Sequence, residues 1–158
     1  MSIQNNILLQ KDKAEQISQK LNDLLANMQV FYMNTRGYHW NIKGKNFFVL
    51  HEKFEELYND LAEKIDEVAE RILMLEGQPK HAFTDYLKAS EIKEDTNNSK
   101  SETTVKGTIE GLQTLLAKER EILLTAEEAG DEGTIDMISG YIGEQEKLIW
   151  MYAAFNQS

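Results

Sequence analysis

Apolar residues that recur every three or four positions are the feature that most limits how this chain can fold. The pattern is strongest between Phe47 and Glu76, where the stripe comprises Leu50, Phe54, Leu57, Leu61, Ile65, Val68, Ile72 and Leu75. This spacing places apolar side chains on one face of an α-helix, which must then pack against other helices. Gly77 and Pro79 follow and predict the end of this helix.

Three further stretches have the same period, so the sequence predicts an all-α protein. These helices are predicted over Lys11–Arg36, Ser101–Ala129 and Thr134–Phe155. Gly37 marks the expected end of the first helix, because glycine readily adopts the backbone conformation that terminates helices. A single proline and few β-branched runs agree with an all-helical chain.

The connection over residues 79–100 is long and predicts the topology of the helices. A short helix is predicted inside it, over Thr84–Ser90, followed by polar, turn-forming residues. Such a length suits a crossover between two helical hairpins rather than a tight turn. The predicted fold is therefore a ferritin-like four-helix bundle with a short extra helix between helices 2 and 3. It forms one domain over residues 1–158, of which residues 1–10 are expected to be loosely ordered.

The charge balance argues against several kinds of partner. The chain has 17 basic and 27 acidic residues, a net charge of -10, which opposes binding to nucleic acid or to an anionic membrane. Cysteine is absent, so disulfides and thiolate metal sites are excluded. No apolar run approaches the ~18 residues of a membrane span, and the first residues lack a signal-peptide pattern. The sequence thus predicts a cytoplasmic protein with no membrane partner and at most weak DNA binding.

A histidine and three carboxylates share one face of the second predicted helix. His51, Glu55, Asp66 and Glu70 fall within roughly a 100° arc of that helix, and His39 precedes it across a short connection. Each of these residues alone is more often an ordinary helix-end or solvated side chain. Together, imidazole and carboxylate on one face suit Fe, Mn or Zn.

Distance limits how these ligands can be combined. Glu55 and Asp66 are eleven positions apart, which is about 16 Å along a helix axis at ~1.5 Å per residue. Metal–ligand bonds measure only about 2.0–2.2 Å, so one ion cannot contact both pairs on one straight helix. Either the pairs serve different sites, or two antiparallel copies of the helix share a site across a two-fold axis. No histidine follows a glutamate at the Glu-x-x-His spacing, which argues against a di-iron centre inside one subunit.

A longer motif resembles a known family. The run His39-Trp40-x3-Gly44-x2-Phe47-x2-Leu50-His51-x2-Phe54-x3-Tyr58, followed by Asp66-x2-Ala69-Glu70-Arg71-Ile72, resembles the Dps family, the bacterial miniferritins. The resemblance implies a hollow homododecamer of 23 symmetry with metal sites at the two-fold dimer interface. One chain would supply His39 and His51 as ligands, and the other Asp66 and Glu70. Glu55 stands where the family usually has aspartate and is carried over as a further metal ligand.

The resemblance also implies an activity. Members of this family oxidise Fe(II), generally preferring hydrogen peroxide to dioxygen, and store a ferric mineral in the cavity, which protects against oxidative damage. Zn or Mn are expected as substitutes for iron, and Trp40 as a redox-active residue that intercepts radicals. Asp131 and Asp136 match acidic positions that line the iron-entry pores. They also flank a predicted helix start, where carboxylates commonly act as caps.

A second interpretation belongs to a different class of function. The chain is then a Dps-like shell that acts as an interaction protein, or that binds metal without turnover. The complete set of His39, His51, Asp66 and Glu70 favours the ferroxidase, because a shell without that activity has no need of all four ligands.

Overall fold

The structure, a computed structural model of the chain, describes residues 3–157. Over that range it consists of five helices: α1 Lys11–Asn41, α2 Phe47–Met74, α3 Phe83–Ala89, α4 Ser101–Ala129 and α5 Glu132–Phe155. The helices α1 and α2 pack as one hairpin, α4 and α5 as another, and α1 joins the two by packing on α4. The predicted all-α bundle with a short extra helix is confirmed. None of the described helices has an apolar stretch of the length that a bilayer crossing requires.

Helix α1 is longer than the sequence predicted. It does not end at Gly37 but continues to Asn41, and the backbone N–H of Ile42 then bonds to the carbonyl of Tyr38. A glycine terminates a helix only where the chain turns, and here the turn lies further on, at Gly44 with φ of +107°. Ile42 is buried at this point and draws the chain back onto the bundle. His39 therefore lies on α1 itself and faces α2.

The predicted apolar stripes form the core. On α2 every stripe residue is buried except Ile65, which is half-buried. At Gly111 of α4 an added Cβ would overlap the ring of Phe31, so glycine allows α1 and α4 to approach closely. At Gly140 and Gly143 of α5 the space is open, and these glycines serve no packing purpose inside the chain.

Two asparagines on α1 hold the long crossover in place. The side-chain oxygen of Asn27 accepts hydrogen bonds from the hydroxyl of Ser90 and from two backbone N–H groups that follow it. Asn34 accepts a hydrogen bond from the backbone N–H of Asp95 and donates one to the carbonyl of Lys93. Both asparagines are buried, so their hydrogen bonds specify the path of the connection.

Residues 3–10 form a turn ahead of α1. The side-chain oxygen of Asn5 accepts hydrogen bonds from the backbone N–H groups of Ile7 and Leu9. The backbone N–H of Asn6 donates to Glu76, just after α2, at 2.6 Å. The loose order expected for residues 1–10 did not include these contacts, because composition does not reveal that Asn5 is buried and organises a turn. Met1 and Ser2 lie outside the described residues.

Within residues 3–157, Glu119 is an ionisable core residue whose two carboxyl oxygens have no partner that meets hydrogen-bond geometry. Glu119 of α4 is completely buried, and Gln145 of α5 beside it is 2% exposed. The carboxyl oxygens of Glu119 and the side-chain amide atoms of Gln145 have no partner at hydrogen-bond geometry. Burial raises the pKa of Glu119 to about 8, although neighbouring Gln145, Lys64 and Arg120 each lower it. The folded chain therefore binds a proton at Glu119 more strongly than the unfolded chain does.

Replacing this carboxyl with an amide should change how stability depends on pH. The pKa of Glu119 rises from an ordinary 4.5 to about 8 on folding, so its stabilising proton is fully bound below pH 4.5 and is lost as the pH rises to 8. That difference corresponds to roughly 5 kcal/mol. In Glu119→Gln the free energy of unfolding should no longer fall as the pH rises from 4.5 to 8. At pH 8.5 the variant should be more stable than the native chain. Urea unfolding at pH 5, 7 and 8.5 measures it.

The exposed Glu121 provides the control. Glu121→Gln lies on the same helix and should retain the native slope. An identical slope in Glu119→Gln and in the native chain would contradict the assignment.

Candidate metal centre

Two histidines are locked together where α1 ends and α2 begins. The Nδ1 of His39 lies 2.5 Å from the carbonyl oxygen of His51, and the Nδ1 of His51 lies 2.7 Å from the carbonyl oxygen of His39. Because a carbonyl only accepts, each Nδ1 must donate its proton. Each Nε2 is thereby left with a free lone pair, the form in which imidazole binds a metal.

Aromatic side chains hold the two imidazoles on either side. The rings of His39 and His51 stack with centroids 3.8 Å apart and planes 11° apart. Phe47 stacks on His51 at 4.9 Å, and Tyr58 packs edge-on against His39 at 5.3 Å. The histidines therefore have one orientation before any metal arrives, which lowers the cost of binding.

Glu55 is the only predicted carboxylate that reaches the histidines of its own chain. Its Oε1 lies 3.6 Å from Nε2 of His39, and the carboxylate is largely exposed. Asp66 and Glu70 are exposed further along α2, which runs without interruption from Phe47 to Met74. Among the described residues, no three histidine, aspartate or glutamate side chains of one chain are placed to hold a metal ion. The predicted ligands of one chain thus fall into two separate groups, His39, His51 and Glu55 in one and Asp66 and Glu70 in the other.

The stacked imidazoles limit what one ion can contact. A metal lies close to the plane of the imidazole that binds it, along the Nε2 lone pair, at about 2.0–2.1 Å. Two planes that are nearly parallel and stacked at 3.8 Å have no such point in common. Ions bound at Nε2 of His39 and of His51 would therefore occupy two separate positions, and two-metal sites have a spacing of about 3.5–4 Å.

Trp40 lies beside this pair and faces outward. It is 55% exposed, and the guanidinium of Arg36 lies 4.8 Å from the centre of its ring. The same guanidinium lies 5.2 Å from the ring of Tyr58, which contacts His39. Arg36, Phe47 and Tyr58 support the site but were not predicted to do so. Arg36 could have been found from the sequence, because it lies one helical turn before Trp40.

The two predicted pore residues have different surroundings. Asp131 is buried, caps α5 by accepting a hydrogen bond from the backbone N–H of Thr134, and pairs with Arg71 at 2.5 Å. Its side chain therefore caps α5 and joins α2 to α5, and its pore role stays a prediction. Asp136 is exposed, and its pore role stays a prediction. Arg71 near the end of α2 thus pairs with the residue that caps α5.

The chain is similar to several known proteins. The family model described as "Ferritin-like domain" matches residues 18–158. The DNA protection during starvation protein of Porphyromonas gingivalis is 49% identical over 147 residues, which is 93% of this chain and 92% of the relative. The crystal structure of the Vibrio cholerae Dps protein has a TM-score of 0.97 and 53% identity, and covers 99% of this chain and 98% of its own.

The chain belongs to the Dps family. Staphylococcus aureus Dps agrees at 33% identity and a TM-score of 0.88, over 91% of this chain and 97% of its own. An uncharacterised protein of Haemophilus influenzae is 54% identical over 153 residues, which is 97% of this chain and 96% of the relative. The ferritin-like fold and the family resemblance of the HW, LH and AER motifs are thus confirmed for this Dps chain.

Removing the carboxylate of Asp131 should destabilise the Dps chain, whether or not Asp131 also lines an iron-entry pore. Asp131→Ala leaves the guanidinium of Arg71 without its partner in a site where it is mostly buried. Breaking such a pair costs about 3–5 kcal/mol. Asp136→Ala, at an exposed position, should stay within about 0.5 kcal/mol of the native chain. Urea unfolding at one chain concentration compares the two, and a native midpoint for Asp131→Ala would contradict the structural role.

Proposed function

We propose that the protein oxidises Fe(II) at sites shared by two antiparallel chains and stores the ferric product in a closed homododecamer. The observation that supports this is the division of the ligands. His39, His51 and Glu55 lie close together near the start of α2. Asp66 and Glu70 are exposed further along the same helix, too far from the histidines to share an ion with them within one chain. A two-fold axis between two α2 helices brings the halves together twice.

Each group has a specific part in this reaction. Nε2 of His39 and of His51 contact neighbouring iron positions, while Asp66 and Glu70 of the opposite chain supply oxygen ligands that favour the ferric product. Glu55 contributes a further oxygen beside His39. The Vibrio cholerae relative is described as a member of a ferritin-like diiron-carboxylate superfamily, which agrees with two positions per site.

Two iron positions explain a preference for hydrogen peroxide. Peroxide accepts two electrons when its O–O bond breaks, and two Fe(II) ions supply one each. With two protons, the products are two Fe(III) ions and two water molecules, so no hydroxyl radical is released. Trp40, exposed beside the histidines, donates an electron when a single Fe(II) reacts alone. Zn or Mn would occupy the same donors without this turnover.

The exposed apolar surface of the chain supports assembly. Phe48 and Phe83 are each 83% exposed, and Trp150 is 65% exposed. These residues lie on different helices, so an isolated chain presents apolar side chains in several directions. Large exposed apolar side chains mark surfaces that bind other chains. The 23 symmetry and the mineral store are proposals, and a cytoplasmic location stays a prediction of the sequence.

Mixed assemblies provide a direct test of shared sites. One variant, His39→Ala with His51→Ala, lacks the imidazoles, and a second, Asp66→Ala with Glu70→Ala, lacks the distant carboxylates. Each alone should have little peroxide-driven Fe(II) oxidation. When the two are unfolded, mixed and refolded together, half of the dimers contain both variants, and one of their two sites is intact. About one quarter of the native sites should therefore recover.

The readout is the stopped-flow absorbance of ferric product, with iron and protein followed together by size exclusion. Each variant refolded alone is the control for the treatment. Recovery in the mixture requires ligands from different chains, and the absence of recovery in well-formed mixed assemblies would reject shared sites. Native rates in both variant assemblies would show that oxidation does not use these ligands, whereas a native assembly with no oxidation above the buffer rate would support the shell without ferroxidase activity.

Weak DNA binding is the other consequence of the charge. At a net charge of -10 the protein repels phosphates. A gel shift with plasmid DNA at low salt, neutral pH and no added divalent metal should show unretarded DNA. Retardation by the purified assembly would contradict this expectation.

A further inference from the structure

Arg36 packs against aromatic rings beside the histidine pair. Its guanidinium carbon lies 4.8 Å from the centre of the Trp40 ring, and 5.2 Å and 5.7 Å from the ring centres of Tyr58 and Tyr32. One guanidinium nitrogen, Nη1, donates a hydrogen bond of 3.3 Å to the hydroxyl of Tyr32, one helical turn earlier on α1. The positive charge therefore has a defined place against three aromatic rings.

No acidic side chain neutralises this charge within residues 3–157. The chain has three arginines, and two of them, Arg71 and Arg120, each pair with a carboxylate. Arg36 forms no such ion pair among the described residues, although the chain has 27 acidic residues. Its Nε is buried and has no hydrogen-bond acceptor. The field of this charge therefore acts on the aromatic rings around it.

A positive charge against an indole ring makes the ring harder to oxidise. The guanidinium is attracted by the π electrons, and this attraction is lost when the ring gives up an electron. The indole radical cation that forms is also repelled by the guanidinium. One cation–π contact corresponds to roughly a two- to thirtyfold change in an equilibrium constant. Because arginine stays charged throughout the physiological pH range, this effect does not vary with pH.

Trp150 provides a comparison within the same chain. Trp40 is 55% exposed and Trp150 is 65% exposed. In the part of the chain that the structure describes, a cationic side chain lies over the ring of Trp40 and none lies over that of Trp150. Two indoles of similar exposure therefore differ in the charge that contacts them.

We propose that Arg36 raises the one-electron oxidation potential of Trp40, so that Trp40 gives an electron to a hydroxyl radical and is spared by milder oxidants. In the proposed function, on which this role rests, a single Fe(II) that reacts with peroxide yields Fe(III), hydroxide and a hydroxyl radical. Trp40 passes one electron to that radical, which becomes hydroxide. The oxidised indole then loses its N–H proton, and the proton and the hydroxide form water.

The raised potential preserves Trp40 for this reaction. Fe(III) and hydrogen peroxide are weaker one-electron oxidants than the hydroxyl radical, and both are present at the proposed site in every cycle. A tryptophan that is harder to oxidise is not consumed by them. Arg36 acts through Trp40 in this scheme and is a positioning residue, because it supplies a charge and takes no part in the electron transfer itself.

Two oxidants of different strength test this role in the metal-free assembly. Nitrogen dioxide radical is a mild oxidant, so its rate of reaction depends on the potential of the ring, whereas hydroxyl radical attacks any accessible indole. Both are small and neutral, so the charge of Arg36 does not steer them. Radiolysis generates each oxidant, and peptide mass spectrometry gives the ratio of oxidised Trp40 to oxidised Trp150. In Arg36→Met this ratio should rise at least about threefold with nitrogen dioxide and stay unchanged with hydroxyl radical.

Two further variants separate the charge of Arg36 from its packing. Arg36→Lys keeps a cation one helical turn before Trp40, so its ratio should lie closer to that of the native chain than to that of Arg36→Met. Arg120→Met is the matched control, because it removes an exposed arginine that pairs with Glu146, and it should give the native ratio.

An unchanged ratio for Arg36→Met with nitrogen dioxide would overturn the proposal. A rise with both oxidants would also overturn it, because it would show greater access to the ring and not a lower potential. Equal ratios for Arg36→Lys and Arg36→Met would show that the charge has no part. Because no iron is present, each outcome is independent of whether the shared sites oxidise Fe(II).

Discussion

The packing of α1 against α2 is the contact on which the rest of the structure depends. It is closed at one end by the reciprocal hydrogen bonds between the imidazole Nδ1 of His39 and of His51 and each other's backbone carbonyl. These bonds satisfy carbonyls near a helix end and a helix start, and they also orient both rings. The same two residues thus close the α1–α2 hairpin and are the proposed metal ligands, so the proposed site depends on the packing of the hairpin.

The rigidity of α2 has a second consequence. A continuous helix keeps Asp66 and Glu70 away from the histidines that the same helix helps to position. A flexible loop could fold back to complete a site within one chain, but a packed helix cannot. In the proposed function the assembly of chains is therefore a requirement of the chemistry, and an isolated chain contains only halves of a site.

Polar groups also cross the interior where α2 faces α5. Arg71 with Asp131 joins the two helices near the start of α5, and Lys64 with Glu144 joins them further along. The first pair is enclosed and fully used by structural contacts. The second pairs a buried lysine with a carboxylate that is 62% exposed.

The sequence by itself determined the helices, their order and the separation of the predicted metal ligands. These follow from a 3.6-residue period and a fixed rise per residue, both of which are local properties of the chain. The family resemblance on the His39–Tyr58 motif added the pairing of the histidines with Asp66 and Glu70, which the spacing left open.

Only the tertiary structure decided the remaining points, because they depend on what packs against each residue. The predicted end of α1 at Gly37 was wrong, because the position of the turn depends on the burial of Ile42 and on Gly44. Asp131 is a buried joint because Arg71, sixty residues earlier, reaches it. The burial of Glu119 within an otherwise charged stretch has no sequence signal, since its neighbours Lys64 and Gln145 lie on other helices, α2 and α5.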